Sequence, residues 1–322
     1  MSAIVQHAYG TADSWALDQV DRPVIKPTEV LVRVHAAGLD RGTWHLMAGL
    51  PYAMRLGLGF RGPKATVPGR DLSGVVEATG AEVTRFQVGD EVFGTGSGAY
   101  AQLAAVSEAK LSLKPSNLTF ELAAALPISG STALRAVVDV GQVEAGQKVL
   151  VIGASGGVGT FAVQIAATRG AEVTGVCSAG KADLVRSLGA THVLDYTRTD
   201  FLDGRTQYDV IIDLAGNNSL GRLRGALTAH GTLVLVGGED GDSVTGGMGR
   251  QLRALAVSSV SHQRLALVLI KEHFTVLDRV ADLAQNSTIT PAVERTYPLA
   301  EAAIAMRHLE AGQVRGKLVI TL

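Results

Sequence analysis

The stretch Val149-Leu150-Val151-Ile152-Gly153-Ala154-Ser155-Gly156-Gly157-Val158-Gly159 constrains the fold of this chain more than any other. Lys148 to Ile152 reads as a short buried strand. Beyond the glycines, Val158, Phe161, Ala162, Ile165 and Ala166 share one helical face, and Gly170 suits the C-terminal cap. Strand, glycine turn and helix in that order turn a glycine pattern into a dinucleotide site. Glycines permit a tight turn and let a pyrophosphate approach with no Cβ in the way. The helix N-terminus adds unpaired N–H donors and a partial positive charge. The spacing is Gly153-x-x-Gly156-x-x-Gly159, with Ser155 where GxGxxG has its second glycine. Gly153, Ser155, Gly156, Gly157, Val158 and Gly159 are therefore cofactor candidates. A glycine-rich turn that binds nothing is the alternative, and the strand–helix units around this one weigh against it.

Those units follow a change of texture. Up to about Pro115, short β-rich runs alternate with turn signals: Glu29 to Val34, Leu72 to Ala78, Glu91 to Phe93 and Tyr100 to Val106. From about Glu121 the rhythm becomes helix and strand, with strands expected at Glu172 to Val176, His192 to Asp195, Asp209 to Asp213, Thr232 to Val236 and Ala254 to Val260. This is the pattern of a doubly wound parallel sheet. The tail from about His262 carries two expected helices and a last strand, Gly316 to Leu322. A chain of 322 residues also exceeds one core, since single cores stop growing at about 250–300 residues. Two domains are expected.

Composition narrows the partners. Lys and Arg number 29 against 30 Asp and Glu, so charge offers no case for nucleic acid or an anionic membrane. The single cysteine, Cys177, excludes an intrachain disulfide and a cysteine-clustered zinc site. Met1 to Gly10 lacks a basic n-region and an apolar h-region, which points to the cytoplasm. The charge-poor stretch Val149 to Thr168 is explained by strand, turn and helix, and a membrane span is rejected.

An acidic residue at the end of the second strand would hold an NAD ribose hydroxyl. Val176-Cys177-Ser178 has none, and Ser178 with Lys181 supplies a hydroxyl and a cation suited to a 2′-phosphate. Tyr196 is placed to pack on the adenine ribose side. NADPH is therefore expected as cofactor, with a solvated surface lysine the alternative for Lys181.

The glycine turn, Pro68-Gly69-Arg70-Asp71-Leu72-Ser73-Gly74, Gly89-Asp90-Glu91-Val92-Phe93-Gly94, Ala190 to Tyr196 and the closing Arg315-Gly316-Lys317-Leu318-Val319-Ile320 together resemble the medium-chain dehydrogenase/reductase superfamily. Within it the chain is most similar to the zinc-independent quinone oxidoreductase branch, nearly end to end. The resemblance implies a Rossmann domain, 121–262, inserted in a GroES-like β-rich catalytic domain, 1–120 plus 263–322. It also implies that substrate and nicotinamide meet in the cleft between domains, and a homodimer joined through the sheet edge, expected at Ala254 to Val260. Cleft positions of the family match Asp40, Trp44, Tyr52 and Thr132. Tyr52 is the leading candidate for hydrogen bonding or protonating substrate, and a packing aromatic is its alternative. Thr132 suits a nicotinamide or substrate contact. The loop Gly237-Gly238 matches the place where backbone meets the carboxamide. Arg315 is a further cofactor candidate, an ordinary surface arginine being the alternative.

Zinc-dependent members place Cys, His and Cys at positions that match about Asp40, Arg70 and Ile128 here. A guanidinium does not ligate and an aliphatic side chain has no donor, so no metal is expected. His45 with Asp40 does not close a site. Without a Lewis acid, the implied chemistry is hydride transfer to an activated acceptor: a quinone, or the C=C bond of an α,β-unsaturated carbonyl. Asp40 stands where many zinc-free relatives carry Asn, and it is either an acid or base or an ion-pair partner of Arg41 or Arg70. Two other readings share the fold: a pathway-tailoring cyclase or isomerase with Asp40 as base, and an NADPH-sensing protein.

Overall fold

The computed structural model describes residues 1–237, 243–269 and 272–322. Among them the chain divides into two units, Met1–Ser131 with Lys271–Leu322, and Thr132–Ile270.

The first unit is organised by one long strand. β1 (Ser2–Val5) and β2 (Ala16–Gln19) pair antiparallel, and β3 (Glu29–Leu39) follows. Val30, Val32 and Val34 are buried on β3, but so are Leu31, Ala37 and Leu39. Both faces are covered toward the ends of the strand, while the exposed Arg33 and half-buried His35 alternate with Val32, Val34 and Ala36 in its middle. Asp40 caps α1 (Arg41–Ala48), and Gly49 closes it at φ 63°, a left-handed conformation that glycine adopts without steric cost. Then come α2 (Arg55–Leu58), β4 (Asp71–Thr79), β5 (Glu91–Thr95), β6 (Leu103–Ser107) and β7 (Leu111–Leu113). α3 (Phe120–Ala124) buries Ala123 and Ala124 and packs on β3 and β4. The helical rhythm expected from Glu121 therefore begins inside the first unit, and the division falls later, within α4 (Pro127–Leu134).

The second unit is a single parallel sheet with helices as crossovers. β8 (Lys148–Ile152), α5 (Gly157–Thr168), β9 (Glu172–Cys177), α6 (Ala182–Ser187) and β10 (His192–Asp195) form its first half. β11 (Tyr208–Asp213), α7 (Leu220–Gly225), β12 (Leu227–Leu235), α8 (Met248–Ser258) and β13 (Arg264–Leu267) form the second. The strand order is β10-β9-β8-β11-β12-β13, the doubly wound dinucleotide-binding order, with its reversal between β8 and β11. Leu150, Ile211 and Leu233 are fully buried in its core. Each such side chain contributes roughly 1.5–3 kcal/mol, more than a single helix cap at about 1 kcal/mol, so sheet burial dominates.

One expected strand is a helix. Ala254 to Val260 lies mostly in α8, and the sixth strand is Arg264–Leu267. Gln251, Leu252, Arg253, Ala254 and Ala256 favour helix, and a parallel step from β12 to β13 requires a crossover that α8 supplies. The sheet edge anticipated at Ala254 to Val260 is accordingly formed by β13. Because β13 still pairs with β12, the second unit also runs past residue 262.

The tail returns to the first unit. α9 (Phe274–Gln285), β14 (Val293–Pro298), α10 (Ala302–Glu310) and β15 (Lys317–Thr321) follow in turn. β15 pairs antiparallel with β3, Leu318 opposite Leu39, and the sheet reads β14-β15-β3-β4-β5-β7 with β6 also on β3. Leu318 and Ile320 join Val32, Leu39, Leu72 and Tyr100 in one core. The protein is therefore α/β, a Rossmann sheet inserted in a GroES-like β-rich unit.

Candidate functional site

Three glycines of the turn after β8 have separate reasons to be glycine. Gly153 sits at φ +85°, a conformation that side chains strain. A Cβ on Gly159 would stand 2.1 Å from the Gly153 carbonyl oxygen and 2.8 Å from Ala154, so this glycine lets α5 close on the strand. Gly156 is different. Its backbone is extended at φ −82°, and a Cβ there would meet only the Gly153 oxygen at an ordinary 3.5 Å. The fold itself leaves room for a side chain. A pyrophosphate at the helix N-terminus fits that room, and α5 has no side-chain cap competing for its first N–H groups.

A cavity of about 650 Å³ opens beyond the ends of β8, β9 and β11, the switch-point position where doubly wound sheets bind ligands. Gly153, Ser155, Ser178, Lys181 and Tyr196 line it. Gly156, Gly157, Val158 and Gly159 lie in the turn and first helical residues without lining it. Gly237 follows β12, and a Cβ there would stand 2.0 Å from the Leu214 oxygen, so backbone packing alone demands glycine. Gly238 lies outside the described residues. Arg315 is exposed in the first unit, and its N–H donates to Glu294 Oε2 at 2.7 Å.

Sequence reasoning missed several of the cavity's walls. Arg198, Asn217, Asn218 and Arg222 line it as well, with Arg222 held by Asp200. Arg198 comes just after the third strand of the sheet, and that placement was the signal for it. Nearby, Asp195 accepts from the Thr197 N–H at 3.0 Å and its hydroxyl at 2.8 Å. These bonds hold its carboxyl below the usual range. The Cys177 thiol is pushed up, mainly by burial and then by the Asp195 charge. Asp213, fully buried at the end of β11, accepts from Gly216 N–H at 3.0 Å and pairs with Arg250 at 2.5 Å. Arg250 also donates to the Asn218 carbonyl at 3.0 Å, which ties down the loop carrying Asn217 and Asn218.

In the first unit, Asp40 Oδ1 accepts from Thr43 N–H at 2.8 Å and Thr43 hydroxyl at 3.1 Å. Lys317 is an ion-pair partner of Asp40, with Nζ 3.9 Å from Oδ2, while Arg70 pairs with Glu272. The same ammonium lies 3.3 Å from Asp71 Oδ2, and Asp71 Oδ1 accepts from Ile128 N–H at 3.1 Å. Burial pushes the Asp71 carboxyl up to about 7; Lys317 pulls it down and Asp40 pushes it further up. Lys317 and Asp71 are far apart in sequence, and no local pattern marks the pair. Tyr52 is half-exposed, its ring 4.7 Å from the Arg55 guanidinium. Trp44 Nε1 donates to Glu310 at 3.0 Å, and His45 Nδ1 donates to the Leu50 carbonyl at 3.1 Å. Thr132 is buried in α4, on the second unit's side of the division. A second cavity of about 470 Å³ lies wholly in the first unit, and neither Asp40 nor Tyr52 lines it. Among the described residues no three His, Cys, Asp or Glu side chains gather as metal ligands, and no helix is long and apolar enough to cross a membrane.

A switch-point cavity fed by an uncapped glycine turn, on a Rossmann sheet inserted in a GroES-like unit, defines a nicotinamide-dependent oxidoreductase. Residues 26–116 match the alcohol dehydrogenase GroES-like domain, and residues 188–320 match the family described as zinc-binding dehydrogenase. The mitochondrial NAD(P)H oxidoreductase RTN4IP1 of Mus musculus is 34% identical over 93% of this chain and 83% of its own length. The 2-methylene-furan-3-one reductase of Solanum lycopersicum is 30% identical over 97% of this chain and 76% of its own. The solved quinone oxidoreductase from Coxiella burnetii superposes with a TM-score of 0.87 at 28% identity, covering 100% of this chain and 99% of that one. The chain belongs to the medium-chain dehydrogenase/reductase superfamily, in its quinone oxidoreductase-like branch.

Proposed function

We propose that this oxidoreductase uses NADPH, without zinc, to reduce a quinone or the C=C bond of an α,β-unsaturated carbonyl. The observation that carries the cofactor choice is the cation set of the switch-point cavity. Ser178 and Lys181 stand beyond β9 where an NAD-selective site has a carboxylate, and Arg198 joins them from the end of β10. Two cations and a hydroxyl suit a ribose 2′-phosphate. Tyr196 packs on the ribose side, and the Gly153 to Gly159 turn takes the pyrophosphate.

The donor set supports the zinc-free reading. Position 40 offers a carboxylate already engaged by Thr43 and Lys317. Position 70 offers a guanidinium and position 128 an aliphatic side chain. A divalent cation beside Asp40 and Asp71 would also have to displace a buried ammonium. These positions lie outside residues 188–320, the part that matches the zinc-binding dehydrogenase description. When bound, the nicotinamide supplies the hydride, so the protein has only to orient an electrophilic acceptor and receive charge on its oxygen. Acceptors already polarised by conjugation need no metal.

Incubation with NADPH or NADH and a panel of quinones and enones tests this through loss of the reduced-nicotinamide absorbance. Turnover with NADPH preferred, insensitive to a chelator, is the expected outcome. Tight NADPH binding with no oxidation by any acceptor refutes the reading.

A further inference from the structure

The first unit has a cavity of its own, about 470 Å³, a size that suits a small organic ligand. Leu46, Met47, Met54, Leu58 and Val67 give it an apolar body. Its neutral polar groups are mostly spent on the protein itself. Gln6 Nε2 donates to the Ala8 and Met47 carbonyls, both at 2.8 Å, and its Oε1 accepts from Trp15 Nε1 at 2.9 Å. The Tyr9 hydroxyl donates to the Gly59 carbonyl at 2.8 Å, and that of Thr43 to Asp40 at 3.1 Å. Besides the exposed Ser97, the described lining then offers three cations, Lys64, Arg70 and Lys110, against one carboxylate, Glu272.

Two of these cations sit on fixed backbone. Around Arg70, Tyr100 N–H donates to the Pro68 carbonyl at 3.0 Å, Ala99 N–H to Gly69 at 3.3 Å, and Gly96 N–H to Arg70 at 2.8 Å. The guanidinium projects from backbone pinned at three successive carbonyls, and its side chain keeps 29% of its surface exposed. Lys64 N–H donates to the Leu58 carbonyl at 2.8 Å, and its ammonium to the Gly57 carbonyl at 2.9 Å, a neutral partner that leaves the charge unanswered. Glu272 is shared: it pairs with Arg70 Nη2 and also with Lys110 Nζ at 2.9 Å, one carboxylate between two cations. Asp71, next in sequence to Arg70, is turned elsewhere. Its Oδ2 faces Lys317 at 3.3 Å, and its Oδ1 accepts from Ile128 N–H at 3.1 Å. Cations of one sign held on rigid backbone around a low-dielectric wall attract an anion and need little reorganisation to receive it.

We propose that this cavity binds a small, flat, apolar carboxylate. Its ring lies among the aliphatic side chains, and its carboxylate meets the Arg70 guanidinium. The planar fork of a guanidinium matches the two oxygens of a carboxylate, and it stays charged at any working pH. The mostly apolar walls favour a single charge at one end of the ligand, since every further charge adds to the desolvation cost. Lys64 and Lys110 contribute to the field without having to touch the ligand. No chemical step is assigned to the site. Occupancy requires neither nucleotide nor turnover, so the proposal stands or falls apart from the reductase reading.

Isothermal titration of the full chain without nucleotide tests this, with 2-naphthoate, its uncharged amide 2-naphthamide and inorganic phosphate as probes. Wild type binds 2-naphthoate roughly tenfold or more tighter than 2-naphthamide, and phosphate does not displace it. Arg70→Met weakens 2-naphthoate roughly tenfold to a hundredfold and leaves 2-naphthamide nearly unchanged. Arg70→Lys falls between, because the ammonium keeps the charge and loses the fork. Glu272→Gln tightens 2-naphthoate by removing the competing carboxylate. Melting temperature is the folding control. If Arg70→Met melts early, the comparison of the two naphthyl probes on wild type and on Glu272→Gln decides. Absence of binding, equal affinity for acid and amide, or an unchanged affinity in folded Arg70→Met overturns the proposal. Displacement by phosphate overturns it as well, since a bare anion site would then suffice. So does a loss in Lys181→Met in place of Arg70→Met, which would put the probe in the nucleotide cavity.

Discussion

Two glycines of one turn, three residues apart, separate the demands of the fold from those of the ligand. At Gly159 an added Cβ lies 2.1 Å from the Gly153 oxygen and 2.8 Å from Ala154, well inside the 3.4 Å where ordinary contact begins. Both neighbours are backbone, so α5 has to move off β8. Overpacking of this kind costs about 1–3 kcal/mol, and near 2–4 °C per kcal/mol for a chain of this class the melting temperature of Gly159→Ala falls by several degrees. At Gly156 the added Cβ finds 3.5 Å to its nearest neighbour, and the extended backbone accepts any L-residue. Replacing glycine by alanine at the helix N-cap costs about 1 kcal/mol, offset by about 0.4–1 kcal/mol from a less flexible unfolded chain. The melting temperature of Gly156→Ala therefore stays close to wild type. Its methyl group occupies the space left for the pyrophosphate, and the same 1–3 kcal/mol now weakens NADPH by roughly fivefold to 150-fold. Thermal unfolding without ligand and equilibrium dialysis with NADPH read the two effects separately. If Gly156→Ala loses as much thermal stability as Gly159→Ala, or binds NADPH as wild type does, the reasoning is wrong.

Three further outcomes follow from other parts of the molecule. Lys181→Met weakens NADPH about tenfold in direct binding and leaves NADH nearly unchanged, because in the proposed site the lysine answers the 2′-phosphate, which NADH lacks; equal losses for both count against the site. Asp213→Ala leaves Arg250 without its buried partner, costs about 3 kcal/mol or more by thermal unfolding, and loosens the Asn217–Asn218 wall, so dinucleotide affinity falls as well. Asp71 binds its proton more tightly folded than unfolded, its pKa rising from 3.8 to about 7, so its contribution to stability is complete below 3.8 and lost as pH rises through 7. Asp71→Asn removes that decline from the stability profile between pH 4 and pH 8, and an identical profile in the variant would place the titration elsewhere.

Much of the nucleotide half was legible because its signals are local. β8 and β10 match their expected bounds residue for residue: β8 carries the apolar run Val149 to Ile152, and β10 is a short segment around Val193 and Leu194 set between turn residues. Gly153, Ser155, Ser178, Lys181 and Tyr196 line one cavity because doubly wound sheets gather the residues after successive strands. The misread segment, Ala254 to Val260, mixes the helix formers Ala254, Leu255 and Ala256 with the β-branched Val257 and Val260, so its local preference is divided. Its state is set by the crossover that joins β12 to β13.

The catalytic half behaves differently. Its charged groups are paired across the chain: Lys317 from β15 meets Asp40 and Asp71 because β15 lies beside β3 and β3 beside β4. Arg70 meets Glu272 in the same way, through contact that no spacing announces. Sequence alone determined the Rossmann sheet, its phosphate turn and the change of texture along the chain, since periodicity and turn chemistry act within a few residues. Only the tertiary structure decided which carboxylate faces which cation, and it alone added Arg198, Asn217, Asn218 and Arg222 to the walls of the nucleotide cavity. Burial and Coulomb interaction depend on distance in space, and the fold sets that distance.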